Sequence, residues 1–236
     1  AADLRGWSLS DDEELPGQWI FPSKVLFPNQ YLVVFASGKN RKAPTGTNRF
    51  HANFTLANDG EFLGLFNPDS PRLLVSGFGA KYPVQRNDYS YGPDASGNLR
   101  YFATPTPGAS NGTSTITGVV QPVHFSSPRG HYSQPFDLVL SCPTPGAVIR
   151  YTRDGSEPTE VNGAFYLVPL RLTNTTLLRA AAYRSGHLVS KVTSHSFFFG
   201  LTAANLSLPT LSILTHSNNL LGRTGIIGMS GGTGPP

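Results

Sequence analysis

Apolar residues along this chain recur with period two, broken by clusters of glycine, proline, asparagine and serine, and stretches with helical spacing are scarce. Alternation of that kind puts every second side chain on one face of an extended strand, so the pattern predicts an all-β protein. Phe50, Ala52, Phe54 and Leu56 share one parity, while His51, Asn53 and Thr55 share the other, which predicts a half-buried strand. Asn58-Asp59-Gly60 then supplies residues that tolerate positive φ, and an apolar run resumes over 61–66. Together these predict a β-hairpin. Upstream, Tyr31-Leu32-Val33-Val34-Phe35-Ala36 is apolar at both parities, as in a strand covered on both faces, and a turn follows at Ser37-Gly38-Lys39-Asn40.

Between Thr104 and Ser114 no large apolar residue occurs, and Pro105 and Pro107 remove backbone donors. That stretch predicts the close of one domain and a linker. Beyond it, strands are predicted at 136–140, 148–152, 170–172, 177–183 and 189–199, with turns at Pro143 to Gly146, Asp154-Gly155, Asn174 and Ser185-Gly186. Short strands punctuated at that spacing predict a second sandwich. The expected organisation is two tandem immunoglobulin-like β-sandwiches with an irregular extension. The boundaries are 1–111, a linker at 112–118, 119–200, and a final stretch 201–236 in which 208–214 predicts one more strand.

A length of 236 residues suits two sandwiches of about 100 residues each. Charged residues make up 14%, well under the roughly 25% of average soluble domains, and serine, threonine, asparagine and glycine fill the surface instead. Such surfaces are common on secreted β-proteins, for which an extracellular or cell-surface location is the expectation, and composition alone leaves a cytosolic location open. Ala1 begins directly in globular-looking sequence, and an export signal is expected upstream of it. No apolar run approaches the roughly 18 residues that span a bilayer.

Residues 1–110 balance ten basic against ten acidic side chains, so the whole net charge of +4 lies in 111–236. Arg150, Arg153, Arg171, Arg179 and Arg184 are scattered over strands and form no run, which argues against nucleic acid as a partner. Cys142 is the only cysteine, leaving no intrachain disulfide and reading as a small buried filler.

Several segments carry family resemblances. Leu4-Arg5-Gly6-Trp7-Ser8-Leu9-Ser10-Asp11, Trp19-Ile20-Phe21-Pro22, the 31–38 segment, Phe54-Thr55-Leu56, Gly60-Glu61-Phe62-Leu63, Ser90-Tyr91-Gly92 and Tyr101 to Gly108 together resemble the lamin tail domain. Such domains open with strands ahead of the Leu-Arg-Gly-Trp segment. The resemblance therefore implies a missing opening strand and an exposed sheet edge beside Trp7. Pro145 to Thr159, with Thr176 to Tyr183 and Ser185-Gly186-His187, resembles the chitobiase and β-hexosaminidase C-terminal module. Leu208 to Thr215, Asn219 to Gly222 and Thr224-Gly225-Ile226 resemble the entrance to a CotH-type, kinase-like domain. The catalytic residues of that family would fall past Pro236, so none is carried over. The combination implies a bacterial exported protein.

Chemistry-bearing patterns are few. The acidic run Asp11-Asp12-Glu13-Glu14 has oxygens that suit calcium but no glycine-punctuated ligand spacing, and a solvated turn is the expectation. None of the six histidines is paired at metal-ligand spacing. No Gly-Lys-Ser/Thr phosphate loop occurs, and the glycine-rich 228–234 stretch follows no strand–helix context. No catalytic, cofactor or metal residue is nominated, and no cofactor is expected.

Surface aromatics are the better candidates, because rings give contact area at low entropic cost. Tyr91 and Tyr101 are expected inside the first unit. Tyr82 and Tyr89, with Tyr132 and Tyr166 in the second, are the candidate contact residues. The expected role is structural or adhesive, through protein partners or self-assembly at a cell surface. Carbohydrate binding, or targeting of a downstream CotH-type kinase, are the alternatives.

Overall fold

The computed structural model describes residues 1–43 and 49–202, with positions 209, 211–213, 215 and 219 beyond them. Among the described residues of 1–202 every assigned element is a strand, and no sheet closes into a barrel. The protein is all-β and sandwich-like. It divides into two compact units, Ala1–Gly118 and Val119–Pro236.

The first unit holds ten short strands: β1 (Ala2–Asp3), β2 (Ser8–Ser10), β3 (Trp19–Ile20), β4 (Val25–Leu26), β5 (Val34–Ala36), β6 (Phe50–Ala52), β7 (Gly64–Phe66), β8 (Leu74–Gly77), β9 (Ser90–Pro93) and β10 (Leu99–Phe102). Its largest sheet runs β3-β2-β7-β8, all antiparallel, and β5 pairs with β6 in parallel. Trp19 is fully buried at the centre of the core. The ring of Phe21 meets it edge-on at 4.8 Å, and Phe50 does so at 6.3 Å. Edge-to-face packing suits the opposed charge of ring rims and faces.

On β2 the fully buried positions are serines. Ser8 and Ser10 turn away from the partly buried Leu9, and their hydroxyls donate to the carbonyls of Pro16 and Asp12. Arg72 Nη1 donates to the Gly6 and Asn67 carbonyls and to Ser8 Oγ, at 2.7, 2.8 and 3.2 Å. Buried hydroxyls are tolerable because each is bonded.

Four sequence expectations change here. The 50–56 and 61–66 runs do not form a hairpin. β6 pairs in parallel with β5, whereas β7 pairs with β2 and β8. Gly60 has φ +89, and the Glu61 carbonyl accepts the Tyr82 amide, so the chain leaves one sheet and enters another. The period-two burial holds through Phe54 and stops at Leu56, which is exposed. The 31–36 strand shortens to 34–36 and is not covered on both faces, since Phe35 is exposed and stacks on His51. The open edge expected beside Trp7 is also absent: β2 has β3 on one side and β7 on the other.

The second unit begins at β11 (Gly118–Val119) and continues with β12 (His124–Phe125), β13 (Gly130–Tyr132), β14 (Phe136–Leu138), β15 (Leu140–Ser141) and β16 (Val148–Thr152). There follow β17 (Ala164–Phe165), β18 (Leu170–Leu172), β19 (Thr176–Tyr183), β20 (His187–Leu188) and β21 (Thr193–Phe199). A five-stranded sheet runs β13-β21-β19-β16-β17, in which only β13 and β21 are parallel. The pairs β12–β15 and β14–β18 supply the other layer.

Between the layers lie Leu138, Leu140, Leu170 and Leu172 against Ile149, Leu178, Ala180, Ala182 and Phe197. Burying apolar surface at about 25 cal/mol per Å² is what holds two such layers together. Strands 148–152 and 170–172 fall where the sequence placed them. The 189–199 strand starts late, at Thr193. The strand expected at 208–214 and the CotH-like segment lie largely outside the described residues. Leu211, Ser212 and Ile213, which are described, carry no strand.

Candidate functional site

Strand β16 alternates between the two faces of the large sheet. Ile149 and Tyr151 face the core with their register partners Ala182 and Ala180, and Val148 and Arg150 face outward opposite Tyr183 and Ala181. On its other side Arg150 pairs directly with Phe165 of β17, the edge strand. Directly opposed residues share a face, and here the guanidinium carbon of Arg150 stands 3.8 Å from the Phe165 ring centroid. Arg150 Nη1 also donates to the Gly163 carbonyl at 2.8 Å, so the cation is held in place from two directions.

The loop between β16 and β17 is built by its own side chains. Asp154 Oδ1 accepts the Ser156 amide and hydroxyl, at 3.0 and 2.6 Å, and Gly155 takes φ +80. Asn162 Nδ2 donates to the Glu157 carbonyl at 2.7 Å, and Thr159 Oγ1 accepts the Asn162 amide at 2.9 Å. Pro158 is fully buried, and the Tyr183 hydroxyl donates to its carbonyl at 2.5 Å. Desolvation raises the Tyr183 phenol, and nearby Glu157 and Glu160 add to the rise while Arg150 opposes it. The short-range bonds shape the loop, and buried Pro158 with its bond from Tyr183 anchors it to the sheet.

The result is a pocket of about 420 Å³ bounded by Val148, Arg150, Glu160, Phe165, Tyr183 and Arg184, with Gly146 and Ser185 at its rim. Phe165 is 51% exposed, and the neighbouring apolar residues Val161, Leu167 and Val168 are 92%, 84% and 66% exposed. A concentration of open apolar side chains beside a fixed cation is the composition of a contact surface.

The four tyrosines singled out in the sequence are not brought together, since two lie in each unit. Tyr82 is only 4% exposed, which corrects its reading as a contact residue. Its hydroxyl donates to the Ala57 carbonyl at 2.8 Å and to Glu61 Oε1 at 3.1 Å, and desolvation followed by Glu61 pushes it up to about 12. Tyr132 stacks on Phe136 at 4.4 Å, half-buried against the core, and Tyr166 is likewise half-buried. Neither presents an open ring. Tyr89 is exposed. Tyr101 is buried, its hydroxyl donating to the Val84 carbonyl at 2.7 Å, and its ring lies 4.8 Å from Tyr91.

Arg150 and Phe165 were missed by sequence reasoning. The available signal was Ala164 to Val168, five consecutive apolar residues just after Gly163.

Among the described residues no group of three or more His, Cys, Asp or Glu side chains is placed to hold a metal ion. In the acidic run, Asp12 Oδ1 accepts the Glu14 amide at 2.9 Å. Gly228 to Gly232 spells a Gly-x-Ser-x-Gly pattern, which signals a nucleophile turn only between a strand and a helix, and it lies outside the described residues.

The fold that carries this surface is all-β and sandwich-like. Residues 138–197, from the last residue of β14 into β21, match the family model described as Fn3 associated, which indicates a fibronectin-type, immunoglobulin-like segment in the second unit. No match reaches significance among curated proteins or among solved structures.

Proposed function

We propose that this chain is a non-catalytic structural or adhesive region of a larger exported cell-surface protein, joined to its partners by protein–protein contact. In this reading a lamin-tail-like sandwich at 1–111 is linked through 112–118 to a chitobiase-C-terminal-like sandwich at 119–200. Residues 201–236 lead toward a CotH-like domain. The observation that carries the role is the set of open apolar side chains on and around the edge strand β17: Val161, Phe165, Leu167 and Val168. Each fully exposed aliphatic side chain forgoes roughly 1.5–3 kcal/mol that burial would return, so a set of them favours a covered state. The low charge content supports a surface that meets other surfaces.

The test is deletion of 119–200 from the full-length protein, read by surface display and by assembly between cells. Loss of assembly with retained display is expected. Unchanged assembly removes the reading.

Carbohydrate binding is the second reading, favoured by the open ring of Phe165. Tyr183 lines the same pocket, but among the described residues the two rings do not stack, where contact along a glycan chain calls for a row.

A further inference from the structure

We infer that the pocket between β16, β17 and β19 binds a protein segment that carries a glutamate or aspartate among apolar residues, with the carboxylate received by Arg150 and Arg184. The inference rests on the reading of this surface as a protein contact and names the chemistry of the partner.

The argument starts from charge. Arg150 and Arg184 both line the pocket, and among the described residues neither has a carboxylate within ion-pair distance. Glu160 lines the same pocket without closing on either of them, so the group keeps a net positive charge. Over 119–202 the balance is seven basic against four acidic residues, so the wider field has the same sign. A partner of negative charge is steered toward such a face and an anion is preferred once there.

Arg150 is also preorganised. Phe165 stacks on one face of its guanidinium and the Gly163 carbonyl takes one donor, so little side-chain freedom is lost when a carboxylate arrives. Arg184 is exposed and completes the clamp from the end of β19.

Charge alone does not describe the occupant. Val148 is 48% exposed beside Arg150, Phe165 adds a second apolar wall to the pocket, and Leu167, two residues further along the chain, is also exposed. An isolated carboxylate would leave these uncovered. A strand or turn with alternating acidic and apolar side chains satisfies both features, because alternate residues of an extended segment can meet the pocket and the open apolar side chains around β17 in turn.

The experiment is an amide NMR titration of the whole chain with three probes. These are an acetylated hexapeptide of alternating leucine and glutamate, its leucine–glutamine isostere, and a hexamer of N-acetylglucosamine. The glutamate peptide is expected to give saturable shifts at Gly146, Val148, Phe165 and Ser185 that weaken with added salt. Arg184→Glu should raise its Kd by about tenfold, and Arg184→Lys should keep most of the affinity. Equal binding of the glutamine peptide overturns the carboxylate preference while leaving the protein-contact reading intact. Shifts with the saccharide and none with either peptide overturn both in favour of glycan binding. Shifts confined to other residues, or none with any probe, overturn the inference, and the deletion experiment above then decides the broader reading alone.

Discussion

The Cβ that Gly60 lacks would stand 2.0 Å from the carbonyl oxygen of Tyr82, and the Gly60 backbone is already at φ +89. Both conditions exclude any other residue: the conformation is strained for a side chain, and the contact is with backbone that cannot swing aside. Gly60→Ala is expected to destabilise the first unit by about 2–4 kcal/mol, the sum of strain and overpacking. Tryptophan fluorescence during urea unfolding reads this cleanly, because Trp7 and Trp19, the chain's two tryptophans, both lie in that unit.

Trp19 tests the core itself. Its removal as Trp19→Ala would leave a cavity among Phe21, Phe50, Ala52 and Phe54. A loss of about 3–5 kcal/mol is expected, enough to unfold a marginal domain. Near-ultraviolet circular dichroism should show the aromatic signal of the first unit collapsing. Retention of that signal with a small change in midpoint would show that the core has repacked.

Alkaline titration probes two buried phenols. Tyr82 and Tyr101 are each pushed up to about 12, mainly by desolvation. A phenol raised above its ordinary 10.0 favours the fold while it stays protonated. Its contribution is present below pH 10 and is lost as pH climbs through about 12. Phenolate absorbance should therefore show a late step, near pH 12 or on unfolding of the first unit, that shrinks in Tyr82→Phe. Tyr82→Phe, which gives up two hydrogen bonds, should cost about 1–2 kcal/mol near neutrality.

His195 gives the second unit an acid limit. The ring lies on the core face 4.4 Å from Phe125 and 5.9 Å from Phe197, and its Nδ1 is buried with no hydrogen-bond partner among the described residues. Desolvation holds its pKa below 6.5, opposed in part by the Ser127 backbone and reinforced by Arg129. The sign follows from where protons bind: the unfolded chain takes one up near pH 6.5 and the folded chain resists it. The favourable contribution of neutral His195 is thus complete above pH 6.5 and is lost as pH falls through the depressed folded value. The urea midpoint of the second unit should drop between pH 7.5 and 5 in the wild type and drop less in His195→Phe. Equal slopes would mean that other groups set the acid limit.

How much of this was legible in the sequence depends on the range of the interactions. Strand Leu170–Leu172 was readable because its burial alternates, and Val148–Thr152 because the turns at Pro145-Gly146 and Asp154-Gly155 bracket it. The hairpin at 58–60 was misread because a turn tripeptide fixes a change of direction and not the strand that receives it. The receiving strands, β2 and β8, are set by contacts elsewhere in the chain. Tyr82 looked exposed in a stretch poor in regular structure, yet the acceptors that bury it are Ala57 and Glu61, more than 20 residues earlier. The pocket was hidden for the same reason. Arg150 and Phe165 are 15 positions apart, and only the β16–β17 register makes them neighbours.

The parallel pairing of β13 with β21 bears on how the second unit would carry a load. Residues 130–132 lie in register with 197–199, so the third strand of the unit is clasped to the last one among its described residues. Tension applied along the chain draws two parallel strands in opposite directions along their own length, so their bonds are strained sideways and together. An antiparallel pair pulled from adjacent ends would instead open one bond at a time. Resistance to forced unfolding is set by the unfolding rate and not by equilibrium stability. A domain clasped in this way is suited to holding its shape between two points that pull apart.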